Sequence, residues 1–290
     1  MMKLSELYLY GRKVLAQTED LQTAGMLARN LLCHATQKTP QQLISDMDHY
    51  ASEEVGQAFS DMVSRVADGE PIAYVLGEWD FFGLTFKVTR DVLIPRDDTC
   101  AVAELAIKRG LFLEKAPRIL DLCTGSGCIG LAIASRITDA RVTLADISKE
   151  ALAVAKYNAA QLKLSGRVSC VQADALGKPD AFLGKFDMIV SNPPYITTKE
   201  MDELPESVRA YEPHLALHGG TDGLDFYRSI ACNYAAALKP EGFLCFEFGI
   251  HQGDGVCRIL EANGYSILER INDYQNVERA VIAQLKRKDV

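Results

Sequence analysis

The run Asp187-Met188-Ile189-Val190-Ser191-Asn192-Pro193-Pro194-Tyr195 sets a short apolar strand directly before an amide, two prolines and a phenol. These residue types suit chemistry on a planar NH2 group. The lone pair of such a nitrogen is delocalised into a carbonyl or an aromatic ring, so it is a poor nucleophile. Two acceptors aimed at its N–H bonds hold it, favour charge developing on nitrogen and turn the lone pair toward an electrophilic methyl. The Asn192 side-chain oxygen and the Pro193 main-chain carbonyl are such acceptors. The prolines fix φ and restrict the residues before them, so the turn is stiff. Tyr195 can cover the flat face of the acceptor and exclude water. No strong base is required, because a methylated, cationic nitrogen of this kind loses its proton readily. The bland alternative is a proline-rich turn. A position at a strand end beside a nucleotide-type loop favours the chemical reading.

That loop is Gly125-Ser126-Gly127-Cys128-Ile129-Gly130, a G-x-G-x-x-G between the strand Arg118-Ile119-Leu120-Asp121-Leu122 and a helix. By itself it suits a dinucleotide as well as S-adenosylmethionine, or a purely structural turn. Asp121 helps to choose. A pyrophosphate lies over such a loop in dinucleotide enzymes, and a carboxylate there repels it. The same carboxylate attracts a sulfonium and an ammonium group. Asp146 ends the next strand and can bind both hydroxyls of a ribose. Its structural alternative is an N-cap for the helix after Ser148. Asp174, after the third strand, is placed to reach an adenine amino group, or is an ordinary turn aspartate. The expected cofactor is S-adenosyl-L-methionine, with S-adenosyl-L-homocysteine as product.

The elements that must position these groups read in two parts. Residues 1–75 are expected to form a helical bundle, with Leu21, Ala24, Ala28, Leu31 and Leu32 at helical spacing and a break at Thr39-Pro40. This part carries ten acidic and six basic residues. Residues 76–97 contain aromatic and β-branched residues around Gly83 and are expected to form a linking β-hairpin. From residue 98 to 290, strands alternate with helices, which implies βαβ units and a mostly parallel sheet. Ligands then bind at the carboxyl ends of the strands.

Composition narrows the class further. The 290 residues are 48 % hydrophobic and 24 % charged, with a formal charge of −8, which argues against a broad basic face for nucleic acid. No run approaches the ~18 apolar residues of a membrane span, and no signal peptide is evident. Eight cysteines without a C-x-x-C pair are expected to be reduced thiols of a cytoplasmic protein. The five histidines lack ligand spacing, and no metal is expected; His214 and His218 fall in a loop beside Pro213 and Gly219-Gly220.

Several stretches together resemble one family. They are Pro71-Ile72-Ala73-Tyr74, Phe81-Phe82-Gly83-Leu84, Ile94-Pro95-Arg96, Asp121-Leu122-Cys123-Thr124-Gly125-Ser126-Gly127, Asp146-Ile147-Ser148, Asn192-Pro193-Pro194-Tyr195-Ile196, Tyr211-Glu212-Pro213 and Gly219-Gly220-Thr221-Asp222-Gly223. Over nearly its whole length the chain resembles the HemK/PrmC family, the glutamine methyltransferases of class I peptide-chain release factors. The resemblance implies an α/β fold: a Rossmann-like, seven-stranded S-adenosylmethionine-dependent methyltransferase domain behind an N-terminal helical bundle. It implies transfer to the glutamine amide of a Gly-Gly-Gln loop, modulating translation termination, with the bundle helping to hold the release factor. It also implies that Cys123, Thr124, Gly125, Ser126 and Gly127 line the methionine half of the cofactor. Asp146 then binds ribose, Asp174 with Ala175 borders the adenine, and Asn192, Pro193, Pro194 and Tyr195 hold the glutamine. Action as a monomer is expected, without direct nucleic acid or membrane contact. Three departures stand out. The family usually has Gly at Cys123, a bulky or aromatic residue after the adenine-side acid where Ala175-Leu176 stands, and Arg-Pro-Glu-Thr-Glu where this chain has Arg96-Asp97-Asp98-Thr99-Cys100.

The competing readings are methylation of an exocyclic adenine amine, which needs a flipped base and a basic surface, methylation of a ribosomal protein glutamine, and a non-catalytic module on the same scaffold.

Overall fold

In a computed structural model, which describes residues 1–287, the chain divides into two compact units. The first is Met1–Glu78 together with Glu206–Tyr211. The second runs from Trp79 to Pro205 and resumes at Glu212.

The first unit contains α1 (Leu4–Leu15), α2 (Leu21–Thr36), α3 (Pro40–Ser45), α4 (Glu53–Ala67) and α5 (Ile72–Leu76). Each start has a local cause. Asp20 caps α2 by accepting from the Gln22 and Thr23 amides, and Ser52 caps α4 through the Val55 amide. Thr39 and Gln42 form a capping box around Pro40, which opens α3 at the expected break. Ala24, Ala28, Leu31 and Leu32 are buried against Leu4, Leu7, Leu15, Phe59 and Val63. Leu21 differs from expectation. It is the first helical residue, directly after the Asp20 cap, and is 64 % exposed.

The second unit begins with the hairpin β1 (Glu78–Phe81) and β2 (Leu84–Lys87), turned by Phe82 and Gly83, both with positive φ. Phe81 and Phe86 are buried in the same core as α6 (Cys100–Gly110) and α7 (Cys128–Arg136). The hairpin is therefore part of the second unit's packing, and the chain boundary falls at its first residue. The return of Glu206–Tyr211 to the first unit has no counterpart in a division into three consecutive segments.

Seven strands form one sheet: β3 (Arg118–Leu122), β4 (Arg141–Asp146), β5 (Val168–Gln172), β6 (Phe186–Ser191), β7 (Leu238–Glu247), β8 (Tyr265–Asn272) and β9 (Glu278–Leu285). The order is β5-β4-β3-β6-β7-β9-β8, parallel from β5 to β7, with β9 antiparallel to both neighbours. Residues of α6, α7 and α8 (Lys149–Gln161) cover one face. The other is covered by α11 (Asp225–Asn233) and α12 (Gly253–Ala262). Two short helices, α9 (Thr198–Met201) and α10 (Glu206–Tyr211), precede α11. On β3, Ile119 faces the first layer while Leu120 and Leu122 face the second. This period-2 pleat decides where the Asp121 side chain points. Among the described residues, no helix is long and apolar enough to cross a membrane.

Candidate active site

Chain order reverses at β3, which pairs with β4 on one side and β6 on the other. This is the crevice where open α/β sheets bind ligands. Leu122 and Ser191 are paired in register at the two strand ends, so the glycine loop and Asn192 leave the sheet side by side. The Ser191 hydroxyl donates to the Leu122 carbonyl at 2.5 Å and joins the two exits.

The loop is held from below and from one side. Asp121 is fully buried on the α7 face, and its Oδ2 accepts from the Thr124 hydroxyl (2.5 Å) and the Gly130 amide (2.9 Å). A Cβ on Gly130 would meet Leu144 Cδ2 at 2.4 Å and Asp121 Oδ2 at 2.9 Å, so only glycine lets α7 lie this close. From β4, Asp146 accepts from the Gly125 amide at 2.9 Å through Oδ2 and from the Ser148 amide at 3.0 Å through Oδ1. The cap of α8 is Ser148, which accepts from the Ala151 amide. Asp146 thus braces the loop and the start of α8 without being the N-cap. Cys123 has φ 61, the left-handed region that glycine enters without the strain a side chain brings.

Asn192 follows β6 directly. Its Nδ2 donates to the Thr99 hydroxyl at 3.3 Å. Pro193 and Pro194 are buried. The turn is clamped beyond them: the Ile196 amide donates to the Leu217 carbonyl at 2.9 Å, and the Ile196 carbonyl accepts from the Gly219 amide at 2.8 Å. A Cβ on Gly219 would come within 2.6 Å of Tyr195 Cα. The Tyr195 carbonyl accepts from Gln252 Nε2 at 3.0 Å.

A cavity of about 450 Å³ opens at this point, within the range of small-molecule sites. Of the residues singled out in the sequence, Cys123, Thr124, Gly125, Ser126, Asp146, Asp174, Ala175, Asn192 and Pro194 line it. Asp121, Gly127, Pro193 and Tyr195 do not belong to its wall. Asp121 sits beneath the loop because the pleat turns it toward α7. The Tyr195 ring packs with the second core layer. Asp174 is exposed and accepts from the Leu176 amide at 2.8 Å, an Asx turn at the cavity rim.

Sequence reasoning missed three contributors. Thr99 lines the cavity. Glu247 is 2 % exposed and interacts with the Thr99 and Asn192 side chains. Glu212 is buried, pairs with Arg96 and accepts from the Ile94 amide at 3.3 Å, which ties together two walls of the cavity. A lone carboxylate in the apolar run Phe243-Leu244-Cys245-Phe246-Glu247-Phe248 was the available signal for Glu247. The departure at Asp98 is accommodated by an ion pair to Arg279 at 2.7 Å.

Burial dominates the electrostatics. Asp121 is pushed from 3.8 up to about 7 by desolvation, against its Thr124 and Gly130 hydrogen bonds and with repulsion from Asp146. Asp146 is raised mainly by burial. Because the Asp121 pKa is raised, the folded protein holds this proton more tightly than the unfolded chain between about pH 4 and 7. Stability falls as pH rises through that window, and the full cost, on the order of a few kcal/mol, is present above it. Thermal melts of the ligand-free protein and of Asp121→Asn are expected to diverge in the variant's favour as pH rises from about 4 to about 7 and to keep a constant difference above that. A difference independent of pH would count against this reading.

The description PrmC N-terminal domain matches residues 6–77, and the description methyltransferase small domain matches residues 107–212. A protein of Clostridium acetobutylicum called release factor glutamine methyltransferase is 36% identical over 282 residues, covering 97% of this chain and 98% of its own length. A protein of the same name from Chlorobaculum tepidum is 39% identical over 262 residues, covering 88% of each chain. The solved methyltransferase of Pyrococcus furiosus covers 79% of this chain and 100% of its own at 18% identity, with a TM-score of 0.51, a likeness of fold alone.

Proposed function

This chain belongs to the release factor glutamine methyltransferase family, and on that premise we propose that it transfers a methyl group from S-adenosyl-L-methionine to a glutamine side-chain amide nitrogen. The acceptor is the glutamine of the Gly-Gly-Gln motif of class I peptide-chain release factors, and its methylation modulates translation termination. The observation that carries this reading is the meeting of Asn192 and the Gly125–Ser126 turn on one cavity wall at the sheet's switch point.

The residues present fit the cofactor. Three buried polar atoms lack a hydrogen-bond partner among the described residues: Asp121 Oδ1, Ser126 Oγ and Glu247 Oε2. All three stand at this end of the sheet, where a cationic ligand is favoured. The missing Cβ of Gly125 leaves open space above the loop. S-adenosyl-L-methionine, when bound, supplies a methyl group made electrophilic by its sulfonium. Cys123, Thr124, Gly125 and Ser126 hold the methionine half, Gly127 supports them from behind as the first residue before α7, and the buried Asp121 carboxylate acts on it from beneath the loop. Asp146 takes the ribose hydroxyls with the acceptor capacity that its two amide bonds leave free. Asp174 and Ala175 border the adenine.

The chemistry of the chain's own groups then follows. Asn192 Oδ1, on the cavity wall, accepts one N–H bond of the glutamine amide, and the main-chain carbonyl of Pro193, set between the wall residues Asn192 and Pro194, accepts the other. The nitrogen is held with its lone pair toward the methyl, and charge developing on it meets acceptors already in place. Pro194 forms the adjoining wall, and Tyr195 anchors the turn that carries Asn192. The first unit contributes to holding the release factor. The protein works in the cytoplasm as a monomer, without direct nucleic acid or membrane contact.

The test uses methyl-labelled S-adenosyl-L-methionine with a release factor, with the same factor lacking the Gly-Gly-Gln glutamine, and with duplex DNA. Label is expected on the intact factor alone. Label on DNA or on the substituted factor overturns the assignment.

A further inference from the structure

Glu247 closes β7 inside an otherwise apolar run and is almost completely buried. The transfer chemistry above assigns it no contact with the acceptor, and its Oε2 has no hydrogen-bond partner among the described residues. Burial of a carboxylate is costly unless something at the site requires it. Its side-chain neighbours Thr99 and Asn192 both line the cavity, and Asn192 Nδ2 in turn donates to the Thr99 hydroxyl at 3.3 Å.

An asparagine amide is nearly symmetric in shape and opposite in function at its two ends. Only the oxygen end can accept from a substrate NH2; the flipped amide sets donor against donor. An ionised carboxylate is acceptor-only, so a neighbouring hydroxyl turns its proton toward it; a Thr99 hydroxyl oriented in this way leaves its oxygen to receive the Asn192 N–H at 3.3 Å. The NH2 end of Asn192 is then held inward and Oδ1 faces the cavity. We infer that Glu247, acting through the Thr99 hydroxyl, sets which end of the Asn192 amide faces the acceptor, and is a positioning residue for the transfer.

The inference rests on the proposed glutamine transfer. Protonated Glu247 gains a donor and no longer discriminates between the two amide orientations. The groups facing it are Asp98, Arg279, Tyr195, Tyr227, Cys100 and Cys128. Desolvation pushes Glu247 up to about 8, with Asp98 adding to the rise while Thr99, Arg279 and Asn192 oppose it.

The experiment uses the full chain with labelled cofactor and release factor at saturation, across the pH range of this titration. Glu247→Gln and Thr99→Val are expected to lose about 10-fold to 100-fold in kcat, with cofactor affinity and the KM for release factor nearly unchanged. Thr99→Ser, which keeps the hydroxyl, recovers most of the rate. Wild-type kcat rises with pH through the Glu247 titration, and this step is absent in Glu247→Gln. In ligand-free protein, the 15N side-chain amide signals of Asn192, assigned by their loss in Asn192→Asp, shift with the same titration and cease to do so in Glu247→Gln. Wild-type kcat in both variants, or Asn192 signals that titrate unchanged in Glu247→Gln, overturns the inference. If the wild-type chain methylates no glutamine, the functional reading fails, and the Asn192 signals still decide the orientation.

Discussion

Asn192→Ala is expected to lower kcat for methyl transfer by on the order of 10²–10³-fold while leaving cofactor affinity nearly intact. The side chain stands at the exit of β6, held at its NH2 end by the Thr99 hydroxyl at 3.3 Å. Pro193 and Pro194 are buried behind it, so the main chain of the turn survives truncation of one side chain. What is lost is the acceptor proposed for an N–H of the substrate amide. That interaction strengthens as positive charge develops on the nitrogen, so the loss falls on kcat rather than on ground-state binding. Single-turnover transfer from labelled cofactor to release factor, beside calorimetric cofactor binding, measures the two effects separately. Full turnover by the variant would sink the mechanism.

Asp146→Ala is expected to act on the other substrate. Its carboxylate holds the Gly125 amide at 2.9 Å and the Ser148 amide at 3.0 Å while also facing the cavity. Removing it frees the loop from β4 and deletes the acceptors proposed for the ribose hydroxyls. Hydrogen bonds to a charged group contribute about 1.5–3 kcal/mol each, so loss of two raises the cofactor Kd on the order of 100-fold or more. At saturating cofactor, kcat is expected to recover to near the parent value, because Asn192 leaves from a different strand. Titration calorimetry and steady-state kinetics at several cofactor concentrations distinguish this from a loss of transfer. An unchanged Kd would remove Asp146 from the cofactor site.

The two variants also separate what was legible in the sequence from what was not. Asn192 and Asp146 were readable because each ends a strand whose apolar pattern and following turn are local features. Thr99 and Glu247 were not readable as partners of Asn192. They lie 93 and 55 residues away in the chain, and only sheet order brings them together. The run from Arg96 to Cys100 carries no pattern of its own that marks Thr99, yet Thr99 is the residue that touches Asn192. Cys123 shows the converse: a departure with a local cause, a left-handed backbone position that glycine fills without strain.

The sequence by itself determined the bundle, the hairpin, the alternating strands and helices, the glycine loop and the stiff turn at Asn192. All are set by short-range periodicity, capping and the fixed φ of proline. Tertiary structure alone decided which face each side chain serves. The pleat of β3 turned Asp121 under α7 instead of into the cavity, and packing in the second core layer drew the Tyr195 ring off the cavity wall. The switch between β3 and β6, with β7 beside β6, delivered a buried carboxylate to the back of the Asn192 amide. Side-chain direction across a sheet depends on register and on long-range pairing, and neither is written in the local pattern of any one segment.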